Sequence, residues 1–262
     1  ALFVVSPIGF ALAEQSSRDN HYMQMGQVAN AQQAIMEHQQ LQTTLRQYCP
    51  IICFPGDPEM PDSVFPNNVF ASTEGKIIIG HMRHPIRQQE AMRTDIRQFM
   101  TNVLQREEID LSTQPGICEL TGSLIIDRAR GIGFCGLSER CNEAGAIAMH
   151  HAFGLRATYL FDLSVSEYHT NVVLSVLASR AIVIASSGFK DIASANAIAE
   201  FYSPNVIQLT DVQKSEYAGN CIALTEQVVC MSQRAKNSLT QTQLSHFHQM
   251  DFRVEGVLMP ML

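Results

Sequence analysis

Tryptophan is absent from this chain and charge is scarce: Asp, Glu, Lys and Arg together make up 16% of its 262 residues. Eighteen Lys and Arg against 25 Asp and Glu leave a formal charge of −7, and no basic run occurs. That excludes nucleic acid, because phosphate binding needs a basic footprint. No stretch reaches the ~18 apolar residues of a membrane span, so no membrane partner is expected. The opening Ala1-Leu2-Phe3-Val4-Val5-Ser6-Pro7 has no basic leader, and Pro7 and Gly9 interrupt the apolar run before Ala11-Leu12-Ala13. It reads as a buried first strand and a turn rather than a signal peptide. No Gly-x-Gly-x-x-Gly follows a strand and no glycine-rich loop ends in Lys-Ser/Thr, which removes nucleotide and phosphate binding. Metal spacing is missing too. Cys49-x3-Cys53, His81-x2-His84, His150-His151 and His246-x-His248 have no matching ligand clusters, so no metal and no cofactor is expected. Seven cysteines at irregular spacing make no disulfide framework, which points to a reducing, cytoplasmic setting.

What is present is 46% apolar residues, ample for a large core in one domain spanning residues 1–262. Apolar residues at helical intervals predict helices over 28–48 (Val28, Ala31, Ile35, Leu41, Leu45) and near 86–105, 141–153, 189–201 and 238–250. Between them, β-branched and aromatic runs bounded by turn residues predict strands. These are Val64–Ala71, Lys76–His81, Ser123–Asp127, Gly131–Cys135, Thr158–Phe161, Val172–Ala178, Arg180–Ser186, Val206–Leu209, Ile222–Thr225 and Gln227–Ser232. Gly131-Ile132-Gly133 marks a hairpin. The chain thus reads as five strand-and-helix units of roughly fifty residues, an α/β fold built from a degenerate repeat.

Three residues carry chemistry. Cys221 follows a Gly-Asn bend at the start of a strand, where a nucleophile would sit, although a cysteine alone reads more readily as core. A thiol needs a cationic or hydrogen-bonding neighbour to become thiolate. His169, ahead of the strand Val172-Val173-Leu174-Ser175-Val176, is the imidazole to supply it. Glu119, opening the turn Glu-Leu-Thr-Gly-Ser, can orient that imidazole or shuttle a proton.

In order and approximate spacing, five segments resemble the pentein, or guanidino-group-modifying, superfamily. They are Asp62-Ser63-Val64-Phe65-Pro66-Asn67-Asn68, Glu119-Leu120-Thr121-Gly122-Ser123, Gly136-Leu137-Ser138-Glu139-Arg140-Cys141-Asn142, Tyr168-His169-Thr170-Asn171 and Gly219-Asn220-Cys221. The chain is similar to arginine deiminase, dimethylarginine dimethylaminohydrolase and the amidinotransferases, and most to the citrulline-utilisation hydrolase branch. The resemblance implies a five-bladed α/β propeller with pseudo-fivefold symmetry. It implies that Cys221 attacks the guanidinium or ureido carbon, that His169 protonates the leaving amine and activates water, and that Glu119 holds the imidazole. It makes Arg140 the partner of a substrate α-carboxylate, a role suited to a bidentate fork.

Two departures bear on substrate. Where arginine deiminase-like relatives place carboxylates, this chain has Asn68 and Asn171. Amides both donate and accept, matching the C=O and NH2 of a neutral ureido group. A buried guanidinium facing them would keep much of its desolvation cost. Asp62 still supplies a charge nearby, and either Asn67 or Asn68 could face the pocket. The expected reaction is hydrolysis of a free amino acid, citrulline first, to ornithine, carbon dioxide and ammonia. Arginine deimination and complete arginine hydrolysis are the alternatives within the class, and a catalytically silent binding protein is the alternative outside it. A homo-oligomer is compatible with all of these.

Overall fold

Ile77, Ile78 and Ile79 are wholly inaccessible, and so is every residue of the run 181–184, because each run is the middle strand of a small sheet. Strands covered on both faces read as continuous apolar runs. The structure, a computed structural model, describes residues 1–23 and 30–258. Strands β1 (Leu2–Val5) and β2 (Ile51–Phe54) pair in parallel, Leu2 opposite Ile51, across a crossover containing the helix Ala31–Leu45.

The chain then makes one unit four times: an antiparallel hairpin, a helical crossover, and a third strand parallel to the second. The first is β3 (Phe70–Thr73), β4 (Lys76–Ile79) and β5 (Glu107–Asp110). The next is β6 (Leu124–Asp127), β7 (Ile132–Leu137) and β8 (Ala157–Asp162). It is followed by β9 (Leu174–Leu177), β10 (Ala181–Ile184) and β11 (Val206–Gln208), and last by β12 (Ile222–Ala223), β13 (Val228–Ser232) and β14 (Arg253–Val257). The β1–β2 sheet lacks the hairpin strand of the other four among the described residues.

Local chemistry explains where the elements begin and end. Asn30 caps the first long helix by accepting from the Gln33 N–H, so it starts at Ala31; Val28 lies outside the described residues. Asn142 caps the helix Glu143–Phe153, which Gly154 ends with φ +63°. The hairpin at Gly131 forms as the sequence predicts.

The single helix expected over 86–105 is instead broken into Pro85–Gln88, a 3-10 turn Glu90–Met92, Thr94–Gln98 and a π turn Phe99–Val103. Buried charge bends it: Arg87 pairs with Glu90 inside the protein, and extended Arg93 reaches the carbonyl of Pro55. The predicted helix over 238–250 forms as Gln241–Gln249, started afresh by a capping box of Thr240 and Gln243. Pro66 opens a 3-10 turn, Pro66–Asn68, where the strand was expected to begin at Val64, and β3 starts only at Phe70. Strands β2, β5 and β14 escape the pattern; β5 is Glu-Glu-Ile-Asp, with an apolar content too low to signal an edge strand.

A short turn precedes the hairpin of each unit, and neighbouring turns are stitched side by side. The Thr121 hydroxyl donates to the Asn67 carbonyl (3.0 Å), the Thr170 hydroxyl to that of Ser123 (2.6 Å), and the Ser175 hydroxyl to that of Gly219 (2.6 Å). Residues from different units are thereby gathered at one end of the sheets.

Candidate active site

Glu119 and His169 occupy the same register, five residues ahead of β6 and β9 respectively, so adjacent turns bring them together. The His169 Nε2–H donates to Glu119 Oε2 at 2.9 Å, and both residues are buried. Glu119 also accepts from the backbone N–H of Arg83 (3.2 Å) and from Arg140 Nη1 (3.1 Å). Burial alone would raise its pKa, but Arg140, His169 and Arg87 hold the carboxyl well below the usual carboxylate range. Burial outweighs the carboxylate at His169 and lowers the imidazole pKa. The pair is therefore a carboxylate beside a neutral imidazole, with the Nε2 proton on the carboxylate and Nδ1 bare.

Gly122 makes room for this ring. A Cβ there would stand 2.8 Å from Cε1 and 2.9 Å from both ring nitrogens of His169. The glycine of the Glu-Leu-Thr-Gly-Ser turn is thus required for the imidazole to lie against the backbone.

Arg140 is close by but engaged. Its Nε donates to Asp19 Oδ2 (2.9 Å), Nη2 to Asp19 Oδ1 (2.6 Å) and to the Ser16 carbonyl (2.9 Å), and Nη1 to Glu119. The fork expected for a substrate carboxylate is filled by protein acceptors, and the side chain is 3% exposed. Asp19, Ser16, Arg83 and His84 were missed in the sequence, where Ser-Ser-Arg-Asp-Asn carries no periodic signal; only the chain's course across the site reveals them.

Cys221, expected to work with this imidazole, is buried beside the Ser175 hydroxyl. It lies one residue ahead of β12, the register of Val69, Ser123 and Val173 in the other units, all fully buried. The register shared by Glu119 and His169 is filled in its unit by Tyr217. Cys221 is 9% exposed within the largest apolar cluster. Burial pushes its thiol pKa up to about 12, with only the Ser175 hydroxyl pulling the other way. No hydrogen bond joins it to His169 among the described residues. Cys221 thus stands four residues nearer its strand than Glu119 and His169 stand to theirs, a difference of register not visible in Gly-Asn-Cys.

The remaining predicted residues line the same end. Asp62 is buried and accepts from the Ser16 hydroxyl. Asn68 is buried, Asn67 exposed and Asn171 half-buried, and none of the three side-chain amides has a hydrogen-bond partner among the described residues. Asn68 is therefore the inward one of the pair. Among the described residues no cluster of three or more His, Cys, Asp or Glu is placed to hold a metal ion, and no helix is long and apolar enough to cross a membrane. A cavity of about 360 Å³ opens beside the site, lined by Arg18, Asp19, Arg83, His84 and Glu139.

Curated protein sequences give no match. Among solved structures, the N-terminal domain of ArgZ, an arginine dihydrolase from cyanobacteria, superposes with a TM-score of 0.83 at 15% identity, covering 98% of this chain and 90% of that one. The chain covers 37% of whole ArgZ, at a TM-score of 0.84. A dimethylarginine dimethylaminohydrolase adduct with S-methyl-L-thiocitrulline superposes with a TM-score of 0.69 at 20% identity, covering 98% and 91%. The family model of eukaryotic N,N dimethylarginine dimethylhydrolase matches residues 6–258. A repeated hairpin-and-crossover unit, stitched turns that gather a buried Glu–His pair, and a family match over nearly the whole length place this chain in the N,N dimethylarginine dimethylhydrolase family of the pentein superfamily, with the α/β propeller fold of that superfamily.

Proposed function

We propose that this chain hydrolyses C–N bonds of a free ureido or guanidino amino acid, citrulline first, through a covalent thiol adduct. The observation that carries this is the buried Glu119–His169 pair, a carboxylate fixing a neutral imidazole with Nδ1 free to take a proton. The attacking thiol gives its proton to His169 and bonds to the central carbon. His169 then passes that proton to the leaving ammonia, accepts another from water, and the water oxygen displaces the thiol. From citrulline the product is a carbamate, which falls apart to ornithine and carbon dioxide; from arginine it is citrulline.

The unpaired amides of Asn68 and Asn171 favour the neutral ureido group. Relatives support the chemistry: a cysteine-to-serine variant of ArgZ is bound to substrate, and another ArgZ variant is covalently bound to a reaction intermediate. Seven free thiols suit a reducing compartment such as the cytoplasm.

Cys221 is the thiol proposed for this attack, although the described residues give it no hydrogen bond to His169. Iodoacetamide labelling and peptide mapping on the full chain test this. A substrate-protected label on Cys221, with ammonia released from citrulline, is expected; a protected label on another cysteine instead, with Cys221 unlabelled, contradicts it. Absence of both turnover and a protected thiol would favour the second reading, a silent pentein that binds an amino acid. That reading draws on the absence of a thiol hydrogen-bonded to His169 among the described residues.

A further inference from the structure

Asp19 belongs to a segment, residues 14–23, whose Arg18 and Asp19 line the cavity beside the site and whose Tyr22 packs against Tyr168 and Tyr217. Its one helical turn, Glu14–Ser17, has no side-chain cap. The Ser16 hydroxyl meets Asp62, the Ser16 carbonyl meets Arg140, and Tyr22 donates to Glu167 (2.9 Å). Its centre is the Asp19 carboxylate. The two oxygens sit one on Nε and one on Nη2 of Arg140, the fork-to-fork geometry in which a guanidinium takes any carboxylate. His84 Nε2 approaches the same oxygens at 3.1 and 3.2 Å.

We propose that Asp19 is a tethered competitor for the carboxylate of the substrate, seated on Arg140 until an incoming amino acid displaces it. This rests on the reading of the site given above, in which Arg140 receives an α-carboxylate. Every nitrogen of Arg140 is engaged by Asp19, Ser16 or Glu119, and the Nε–Nη2 edge is held by Asp19, so a substrate carboxylate can take that fork only by replacing Asp19. Asp19 has somewhere to go. The cavity of about 360 Å³ on its outer side is lined by Arg18, Arg83 and His84 as well as Glu139, and Arg83 Nε already lies 3.8 Å from Asp19. Displacement therefore exchanges one cationic neighbour for others and leaves no charge buried without a partner.

A tethered group acts at an effective concentration of about millimolar, so it selects against weak carboxylates and sets a threshold for amino-acid substrates. Molecules with a ureido group but no carboxylate do not need Arg140 and escape the competition. The specificity of the site is then set by Asp19 as well as by the asparagines.

The test is calorimetric binding of citrulline and of its decarboxylated analogue to the full chain carrying Asp19→Asn, with Asp19→Ser as a second variant and thermal melts confirming that each is folded. Citrulline is expected to bind at least tenfold more tightly to the variants than to the parent, and the analogue to change by less than twofold. An equal change for both ligands, no gain for citrulline, or no citrulline binding to either variant overturns the proposal. Binding needs no turnover. A gain in citrulline affinity without ammonia release would remove the hydrolase reading and leave the role of Asp19 standing.

Discussion

Replacing Glu119 by Gln keeps the shape of the buried node and removes its charge, so its cost can be worked from the contacts. The carboxylate, 0% exposed, meets Arg140 Nη1 at 3.1 Å, His169 Nε2 at 2.9 Å and the Arg83 N–H at 3.2 Å. Removing one partner of a buried ion pair costs about 3–5 kcal/mol. Asp19 still compensates Arg140, and the Gln oxygen can still accept one bond, which sets the loss at the low end, about 3 kcal/mol. At about 2–4 °C per kcal/mol for a chain of this size, the melting temperature should fall by roughly 6–12 °C at neutral pH. The folded pKa of Glu119 lies below its unfolded value, so its stabilisation is complete above the ordinary carboxylate range and is lost as pH falls toward the depressed folded value. The gap between parent and variant should therefore narrow below about pH 4. Melts followed by circular dichroism between pH 3 and 8 measure it. A variant within two degrees of the parent at neutral pH, or a gap that widens with acid, would refute the assignment of Glu119 as the charged centre of the node.

Gly122→Ala should displace the imidazole and lower ammonia release by more than tenfold while the protein stays folded, as the added methyl meets the ring at 2.8 Å; unchanged kinetics would show that the ring has room. Asn68→Asp should shift preference from citrulline toward arginine in competition assays, since the inward amide becomes a carboxylate; an unchanged ratio would mean that Asn68 does not meet the reacting group. The neutral state of His169 predicts that kcat/KM falls only below the ordinary histidine range, because burial lowers its pKa; a limb above pH 7 would contradict that.

Periodicity made the repeat visible because its middle strands and crossover helices are strongly patterned, as in Ile77–Ile79 and Ile192–Tyr202. Glu119 and His169 were legible for a different reason: each opens a turn directly before an apolar strand, and the repeat turns that likeness of register into contact. Gly-Asn-Cys does not announce that Cys221 takes an inward position beside Ser175 within the apolar cluster. Arg140 meets Glu119, but its other partners come from Ser16 and Asp19, more than a hundred residues away in sequence, and nothing in that polar run announces where it lies. The broken helix between Pro85 and Val103 was hidden because buried Arg–Glu pairing overrides an apolar pattern that is continuous in the sequence.

Ammonia and product release from citrulline and from arginine at equal concentration, by the full chain and by His169→Ala, tests the central claim most directly. The account predicts ammonia and ornithine from citrulline, little from arginine, and loss of both in the variant. Undiminished turnover after His169→Ala would contradict it.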